Sequence, residues 1–465
     1  MENISPALEK IKRVPMEKAG NNEQEISSNL KGYIFFWTGQ LVSLLGSSII
    51  QFVLIWWITV ETEDPIMLSL SAFIGFAPMI LLTPIAGVLV DRYSRKGIIG
   101  TVDFLQAAVT VVLLYLFKSG IASVMIVLIF IGLRGVFQAF HTPSIQALIP
   151  IMIPRKHLSR FNSVDFLMNS MIFLVGPLVA AVLYAAIAMH QILWIDAITF
   201  LIAVIPLFII KIPKIKKQAV IETEKPSFFT EFKEGILFIR EKKGLLSLLS
   251  VFTAANLFIM PFFTLLNLFI YSSHGGTEAH LSYILAFNQA GTIIGSILFI
   301  FWKGFRKKIV GVALGILIMY SGYLIATLTP LGVFWFMGIG FFILGFALPM
   351  ANISSQTIWQ TVVPKEKLGR VMSVRITIAQ ITAPVGMILS GFIAKAISMK
   401  ILFISCVILG LLFLAISWFM TSIKKVEEGL VYAGEKPAIE EIQEEIGEPL
   451  TLDEPMSQPK VISKD

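Results

Sequence analysis

The sequence predicts an all-α membrane protein: twelve transmembrane helices in two pseudo-symmetric six-helix halves, with both termini in the cytoplasm. Three observations predict it: an apolar composition, twelve segments of membrane-crossing length, and positive charge that collects in alternate loops. The 465 residues are 56% hydrophobic and 14% charged, with a mean hydropathy of +0.82. Soluble domains sit near ~45–50% apolar and about 25% charged. The single cysteine, Cys406, lies in an apolar run, which excludes an intramolecular disulfide and a multi-cysteine metal site.

A bilayer crossing needs roughly 17–25 apolar residues. Residues 1–31 are polar and are read as a cytoplasmic tail, with no apolar core and cleavage site of a secretory signal. Segments 1 to 6 follow at about 33–58, 68–90, 98–117, 122–147, 161–187 and 190–210, within a first half, 32–210. Residues 211–245 form a cytoplasmic connection. Segments 7 to 12 lie at about 246–272, 281–302, 309–328, 332–358, 371–397 and 400–422, a second half spanning 246–422. Pro78, Pro84, Pro177, Pro261, Pro349 and Pro384 stand inside segments; packed membrane helices accept prolines that soluble helices tolerate poorly. Residues 423–465 are an acidic tail: from Val426 on it holds eleven acids and three bases, few aromatics and scattered prolines, and is expected to be mostly disordered.

Threading the chain from a cytoplasmic start gives the short inside loops Arg92, Arg95 and Lys96; Arg155, Lys156 and Arg160; Lys303, Arg306, Lys307 and Lys308; and Lys365, Lys367 and Arg370. The central connection adds nine bases, whereas the outside loops receive only Lys118, Lys395 and Lys400. The positive-inside rule then selects one orientation. It also accounts for the basic excess without nucleic acid, which is excluded as a partner. The connection reads SFFTEFKEGILFIREKK, with Phe228, Phe232, Ile236 and Ile239 on one helical face. That face suits either the cytoplasmic membrane surface or a cap on the protein itself.

The chain repeats. RGVFQAFHTPSIQALIPIMIPRKHLSRFNS lies on LGFALPMANISSQTIWQTVVPKEKLGRVMS at an offset of 210, matching Gly135 with Gly345, Pro154 with Pro364, Arg160 with Arg370 and, further on, Gly176 with Gly386. RYSRKGIIG lies on KGFRKKIVG at an offset of 211, and Gln40 and Gln51 lie on Asn256 and Asn267 at 216. Two parallel six-helix repeats are the plan of transporters whose site lies between the halves, near the bilayer midplane.

Three motifs now point to a family. GVLVDRYSRKGII, between segments 2 and 3, resembles the loop signature G-x-L-x-D-R-x-G-R-K of the major facilitator superfamily, with Ser94 in place of its second glycine. RGVFQ, from Arg134 to Gln138, resembles that superfamily's R-x-x-Q-G motif with its end shifted. GPLVAA, from Gly176 to Ala181, resembles its antiporter motif G-P-x-x-G-G with both final glycines replaced by alanine. FHTPSIQALIPIMIP, FFTEFKEGILFIREKKGL and LGRVMS together are similar to the macrolide-efflux branch, and the likeness runs over residues 31–422.

The resemblance implies a secondary exporter of amphipathic or apolar small molecules, macrolide-like drugs first, working by alternating access in exchange for protons. It places the protein in the bacterial inner membrane, as a monomer whose partners are its substrate, protons and the lipid bilayer, with no cofactor. Alternatives are a siderophore or lipid transporter of the same fold, and a non-transporting sensor or scaffold acting through the acidic tail. No GxSxG, HExxH, GxxxxGK[ST] or paired-cysteine motif occurs, so neither an enzyme nor direct ATP drive within this chain is expected.

Each candidate residue carries a competing reading. Arg92, Arg95 and Lys96 meet the anionic inner leaflet, but Asp91 does nothing for topology. Asp91 and Arg95 are read as a latch on the second half, closed when the cavity faces outward; Phe301 and Trp302 stand where the second half would need the acid. Arg134 lies near mid-segment, where a charge is costly and usually faces the bundle interior or water; the resemblance gives it the coupling role, against a structural arginine bonded to carbonyls. Counted from segment ends at about 1.5 Å per residue, Asp103, Asp165 and Asp196 all sit shallower than Arg134. Asp196 is the acid chosen to carry the proton, open to the outside; Asp103 and Asp165 are assigned to a cytoplasmic charge network. His141 is either a titrating group or a structural histidine. Gly176 and Pro177 are the expected hinge. Gln40, Ser47 and Gln51 share a face of segment 1, and Asn256 and Asn267 repeat that spacing in segment 7. The four amides are expected to line the cavity or to bond between helices. The chain has 37 phenylalanines, and composition does not say which face a substrate.

Overall fold

The computed structural model describes residues 16–210, 228–302, 304–364 and 367–428. The KIPKIKK run and the acidic tail beyond Glu428 lie outside the described residues. The helices are α1 (Met16–Thr62), α2 (Pro65–Arg92), α3 (Arg95–Lys118), α4 (Val124–Met152), α5 (Arg155–Ala186), α6 (Met189–Ile209), a short α7 (Phe228–Glu241), α8 (Leu245–Leu268), α9 (Glu278–Phe301), α10 (Lys308–Thr327), α11 (Phe334–Val362), α12 (Leu368–Ile397) and α13 (Met399–Met420). Twelve spans among the described residues are long and apolar enough to cross a membrane, one in every helix but α7. Helix α1 starts far earlier than its apolar segment, because the polar residues before Gly32 continue the same helix. The end where the chain enters α1 and leaves α13 is here called the base, and the opposite end the crown.

Short polar side chains cap three of the helices. Asp64, Ser94 and Ser123 accept from backbone N–H groups of α2, α3 and α4 respectively, the usual satisfaction of orphan donors at a helix start. Ser94, where the family signature has glycine, therefore caps α3 through the Gly97 N–H.

The repeat is physical as well as textual. A Cβ on Gly135 would run into the backbone of Gly75 on α2, and one on Gly345 into the carbonyl of Asn288 on α9. A Cβ on Gly176 would meet Ser48 of α1, and one on Gly386 would come within 2.8 Å of the Leu257 carbonyl on α8. Matched glycines thus permit matched helix crossings in the two halves, as small residues do in membrane bundles.

Helix α7 is a cap on the second half. Arg370 of α12 donates to Glu234 at 2.7 Å, Ile239 is buried, and Gly235 lies against Val374. The predicted face splits: Phe232 packs inward with Phe238 and Ile239, while Ile236 is exposed. The chain after α13 folds back beneath the same half, burying Ile423 and Val426. Gly244, at φ +83°, makes room for this segment; a Cβ there would lie 2.7 Å from the Ser422 carbonyl. Glu427 accepts from the Lys308 and Ile309 N–H groups at 2.9 Å each, capping α10.

The side-chain contacts that join the halves gather at the crown. Lys395 of α12 reaches Asp64 at 3.2 Å. Trp56 of α1 meets Tyr271 edge-on, with ring centroids 5.8 Å apart. Gly391 of α12 sits against Pro65 and Ser69 of α2.

Candidate functional site

Between the halves lies a cavity of about 600 Å3. Phe52, Phe76, Phe173, Phe263, Met79 and Met387 supply apolar wall, while Gln51, Gln106, Gln138, Asn267 and Arg134, with four hydroxyl side chains, supply the polar positions. An apolar lining with a few placed polar groups is the usual form of a small-molecule site.

Arg134 meets Asp196 at 2.6 Å, the side chains being 10% and 6% exposed. The same guanidinium nitrogen donates to Thr110 Oγ1 at 2.9 Å. Thr110 donates to Asp196 Oδ2 at 2.7 Å, and Ser47 donates to Oδ1 at 3.1 Å. Helices α1, α3, α4 and α6 thus converge on one ion pair at the cavity wall. This corrects the expected openness of Asp196, whose side chain is buried; its shallower position along the helix does not keep it from Arg134. Arg134 lies ten residues into α4 and Asp196 seven into α6, an offset of only about 4.5 Å at ~1.5 Å per residue. Both helices start at the crown, and an arginine side chain leans toward its helix N-terminus, which closes that gap.

Asp103 is corrected too. It is buried, and its partners among the described residues are His141 and Gln40 rather than charges at the base. Its Oδ1 lies 3.0 Å from His141 Nε2, and Gln40 Nε2 donates to its Oδ2 at 3.4 Å. Gln40 Oε1 is 3.2 Å from the same histidine nitrogen. Asp165 accepts from Trp37 Nε1 at 2.6 Å. The error has one cause: counting along a helix gives depth but not azimuth, and azimuth decides the partner.

The four amides divide. Gln51 and Asn267 line the cavity. Gln40 instead serves Asp103 and His141, and Asn256 donates to the Ala379 carbonyl of α12 at 2.9 Å. Gln40 and Gln51 share a face but stand eleven residues, or about 16 Å, apart along α1, and the cavity spans only the crownward member. Accordingly, Gln51→Ala is expected to raise KM about threefold to tenfold with the melting temperature nearly unchanged. Gln40→Ala should lower the melting temperature, since it strips a buried hydrogen-bonding group from Asp103. Transport kinetics and detergent melts on the two variants check this split.

Gly176 and Pro177 are both buried; Gly176 abuts Ser48 of α1, and Pro177 lines the cavity. Lys96 donates to the carbonyls of Phe208 and Ile210 at 3.0 and 2.9 Å, a cation at the C-terminal end of α6. It is engaged within the first half. Arg95 Nε is buried with no partner among the described residues. The side chains of Asp91 and Arg92 lie outside the described residues.

Sequence reading passed over Arg375, on α12. It donates to Gln356 at 2.5 Å and to Ser355 at 3.4 Å, and lies 5.4 Å from the Trp359 ring centroid. A base inside segment 11 was the available signal, and the repeat offset of 210 places it opposite Asp165. Gln106 and Thr110 were also missed, since single polar residues on apolar helices carry little signal; Gln138 was seen only as the end of the R-x-x-Q-G likeness and was given no role.

The family model described as Major Facilitator Superfamily matches residues 36–381 and, overlapping, 262–450. Macrolide efflux protein A of Streptococcus pyogenes is 31% identical over 364 residues, 78% of this chain and 89% of that protein. The protein of the same name in Enterococcus faecalis is 30% identical over 321 residues, 69% of this chain and 98% of that one. Among solved structures, a bacterial homolog of the human lysosomal transporter Spinster, in an inward-facing and unoccupied conformation, superposes with a TM-score of 0.66 at 15% identity, covering 88% of this chain and 99% of that one.

Proposed function

Because this chain belongs to the major facilitator superfamily, in its macrolide-efflux branch, we propose that it exports macrolide-like amphipathic small molecules by alternating access in exchange for protons. It is a multi-pass bacterial membrane transporter. The finer reading rests above all on one observation: Arg134, on the wall of an otherwise largely apolar cavity between the halves, is paired behind that wall with the buried Asp196. A large apolar body fits the phenylalanine and methionine wall, and the four cavity amides meet its polar groups.

In this reading the base faces the cytoplasm, as the basic loops require. The contacts gathered at the crown then describe a cavity shut to the outside, the state that loads substrate from within. Asp196 takes the proton from outside in the opposite state, which frees Arg134 and shifts the balance between states. Closing the base in that state is the role proposed for Asp91 with Arg95, and Gly176 and Pro177 let α5 bend against α1.

The test is uptake into inverted vesicles across a panel of macrolides and other amphipathic drugs, with and without an imposed pH gradient. The expected result is macrolide uptake that rises with an acid interior and collapses when the gradient is dissipated. Uptake indifferent to the gradient overturns proton exchange; no uptake of any panel member overturns export. A chain truncated after Glu428 keeps the Glu427 cap on α10 and should transport normally; loss of function on that truncation would favour a scaffold acting through its tail.

A further inference from the structure

Asp196 is a poor place from which to shed a proton on the base side. Its carboxylate already accepts from Arg134, Thr110 and Ser47. A proton added there must displace the guanidinium and leave its charge unpaired in a low dielectric. Closer to the base stands a second pair with no guanidinium: Asp103 on α3 and His141 on α4, 3.0 Å apart and 4% and 19% exposed, the acid sealed and the ring partly open. Gln40 touches both.

We propose that Asp103, His141 and Gln40 form a second proton-holding site, from which the coupled proton leaves toward the base. The proposal rests on the proton-exchange reading above. With the neutral ring donating from Nε2 to Asp103, Nδ1 is the atom that takes the proton. Loading converts a carboxylate beside a neutral imidazole into a carboxylate–imidazolium pair, so the net charge goes from −1 to 0. Unloading returns the same proton to water, and no other bond changes. An imidazole can take a proton on one ring nitrogen while the other keeps its hydrogen bond, and a coupled pair holds its proton jointly.

The two sites share a helix face. Asp103, Gln106 and Thr110 follow one another along α3 at spacings of three and four residues, which stacks them on one side. Gln106 borders the cavity, and Thr110 bonds Asp196. Among the described residues, the other charges on the surrounding helices are engaged or remote. Helix α2, packed against α4, carries only Asp91 and Arg92, both at its base end. On α3, Arg95 and Lys96 are at the base end, and Lys96 is held by α6 carbonyls; Lys118 is at the crown. On α4 the only other charge is Arg134, paired to Asp196. On α6 the titratable groups are Asp196 and His190 near the crown. Helix α1 has no charged residue between Gly32 and Val60, only the buried Tyr33. On α5, Asp165 faces Trp37, and the basic residues crowd its base end.

The experiment uses the full chain in proteoliposomes with tritiated erythromycin as probe. Two rates are measured: accumulation driven by a pH gradient, and exchange of labelled for unlabelled drug at equal pH. Asp103→Asn and His141→Gln are expected to retain exchange within about threefold while gradient-driven accumulation falls tenfold or more. Gradient-driven accumulation within about twofold of the parent overturns the site. So does a parallel loss of exchange and accumulation in both variants, which would mark the cluster as structural. A parent that exchanges drug but ignores the gradient overturns the proton-exchange reading itself, whatever the variants do.

Discussion

Asp196→Asn is expected to abolish gradient-driven transport and to destabilise the fold by about 3–5 kcal/mol, the usual cost of removing one partner from a buried ion pair. The variant keeps the size of the side chain and much of its hydrogen bonding, so the loss is one of charge. Arg134 would then stand unpaired at a wall where it is 10% exposed. Neutralising both partners, with Arg134→Gln and Asp196→Asn together, should recover most of that stability, because no lone charge remains. It should not recover transport. The pair is therefore expected to show strong non-additivity in melting temperature and none in function. Detergent melts on the four chains of the cycle give the first quantity, and vesicle uptake gives the second. Full gradient-driven uptake by Asp196→Asn would end the assignment of Asp196 to coupling.

Gly391→Leu is the second large effect. Gly391 is where α12 crosses α2 at the crown; a Cβ there would lie 2.6 Å from the Pro65 carbonyl and strike the Ser69 side chain. A leucine cannot be absorbed by a flexible neighbour, since one obstacle is backbone. The crown should be wedged apart and the state seen here depopulated. Transport is expected to fall at least about tenfold while the protein still folds, because separating two halves at one end is a motion that alternating access itself requires. The readout is cross-linking, with a bifunctional thiol reagent long enough to replace the lysine stem, of cysteines placed at Asp64 and Lys395, whose charged ends meet at 3.2 Å across the halves, in a chain whose own Cys406 is buried. The parent should cross-link readily and the leucine variant poorly. Equal cross-linking in both would mean that the crown tolerates the wedge and that transport was lost for another reason.

How much of this was readable beforehand follows from the type of information each feature needs. The twelve spans came from hydropathy alone, because a lipid-facing helix must be apolar over its whole crossing. The repeat was legible at Gly135 and Gly345 because a close crossing tolerates only hydrogen at that position, and both halves use the same crossing. Arg134 was legible because a base at mid-helix is rare enough to stand out. Its partner was not. Asp196, Asp103 and Asp165 looked alike on paper, and only their different neighbours separated them: an arginine, a histidine with a glutamine, and a tryptophan. The same limit divided the amides, since Gln40 and Gln51 share a helical face and differ only in what covers them.

By itself the sequence determined the class, the number of crossings, the two-fold repeat and the resemblance that the family comparisons then bore out, because these depend on composition and order along one chain. The tertiary structure decided which acid meets Arg134, that Asp103 meets His141 and Gln40, that α7 caps the second half, and that the halves touch at the crown. The physical reason is the same in each case. Hydropathy and spacing fix where a residue lies along its helix, but pairing depends on helix rotation, tilt and side-chain reach. Those are set by packing between helices far apart in sequence.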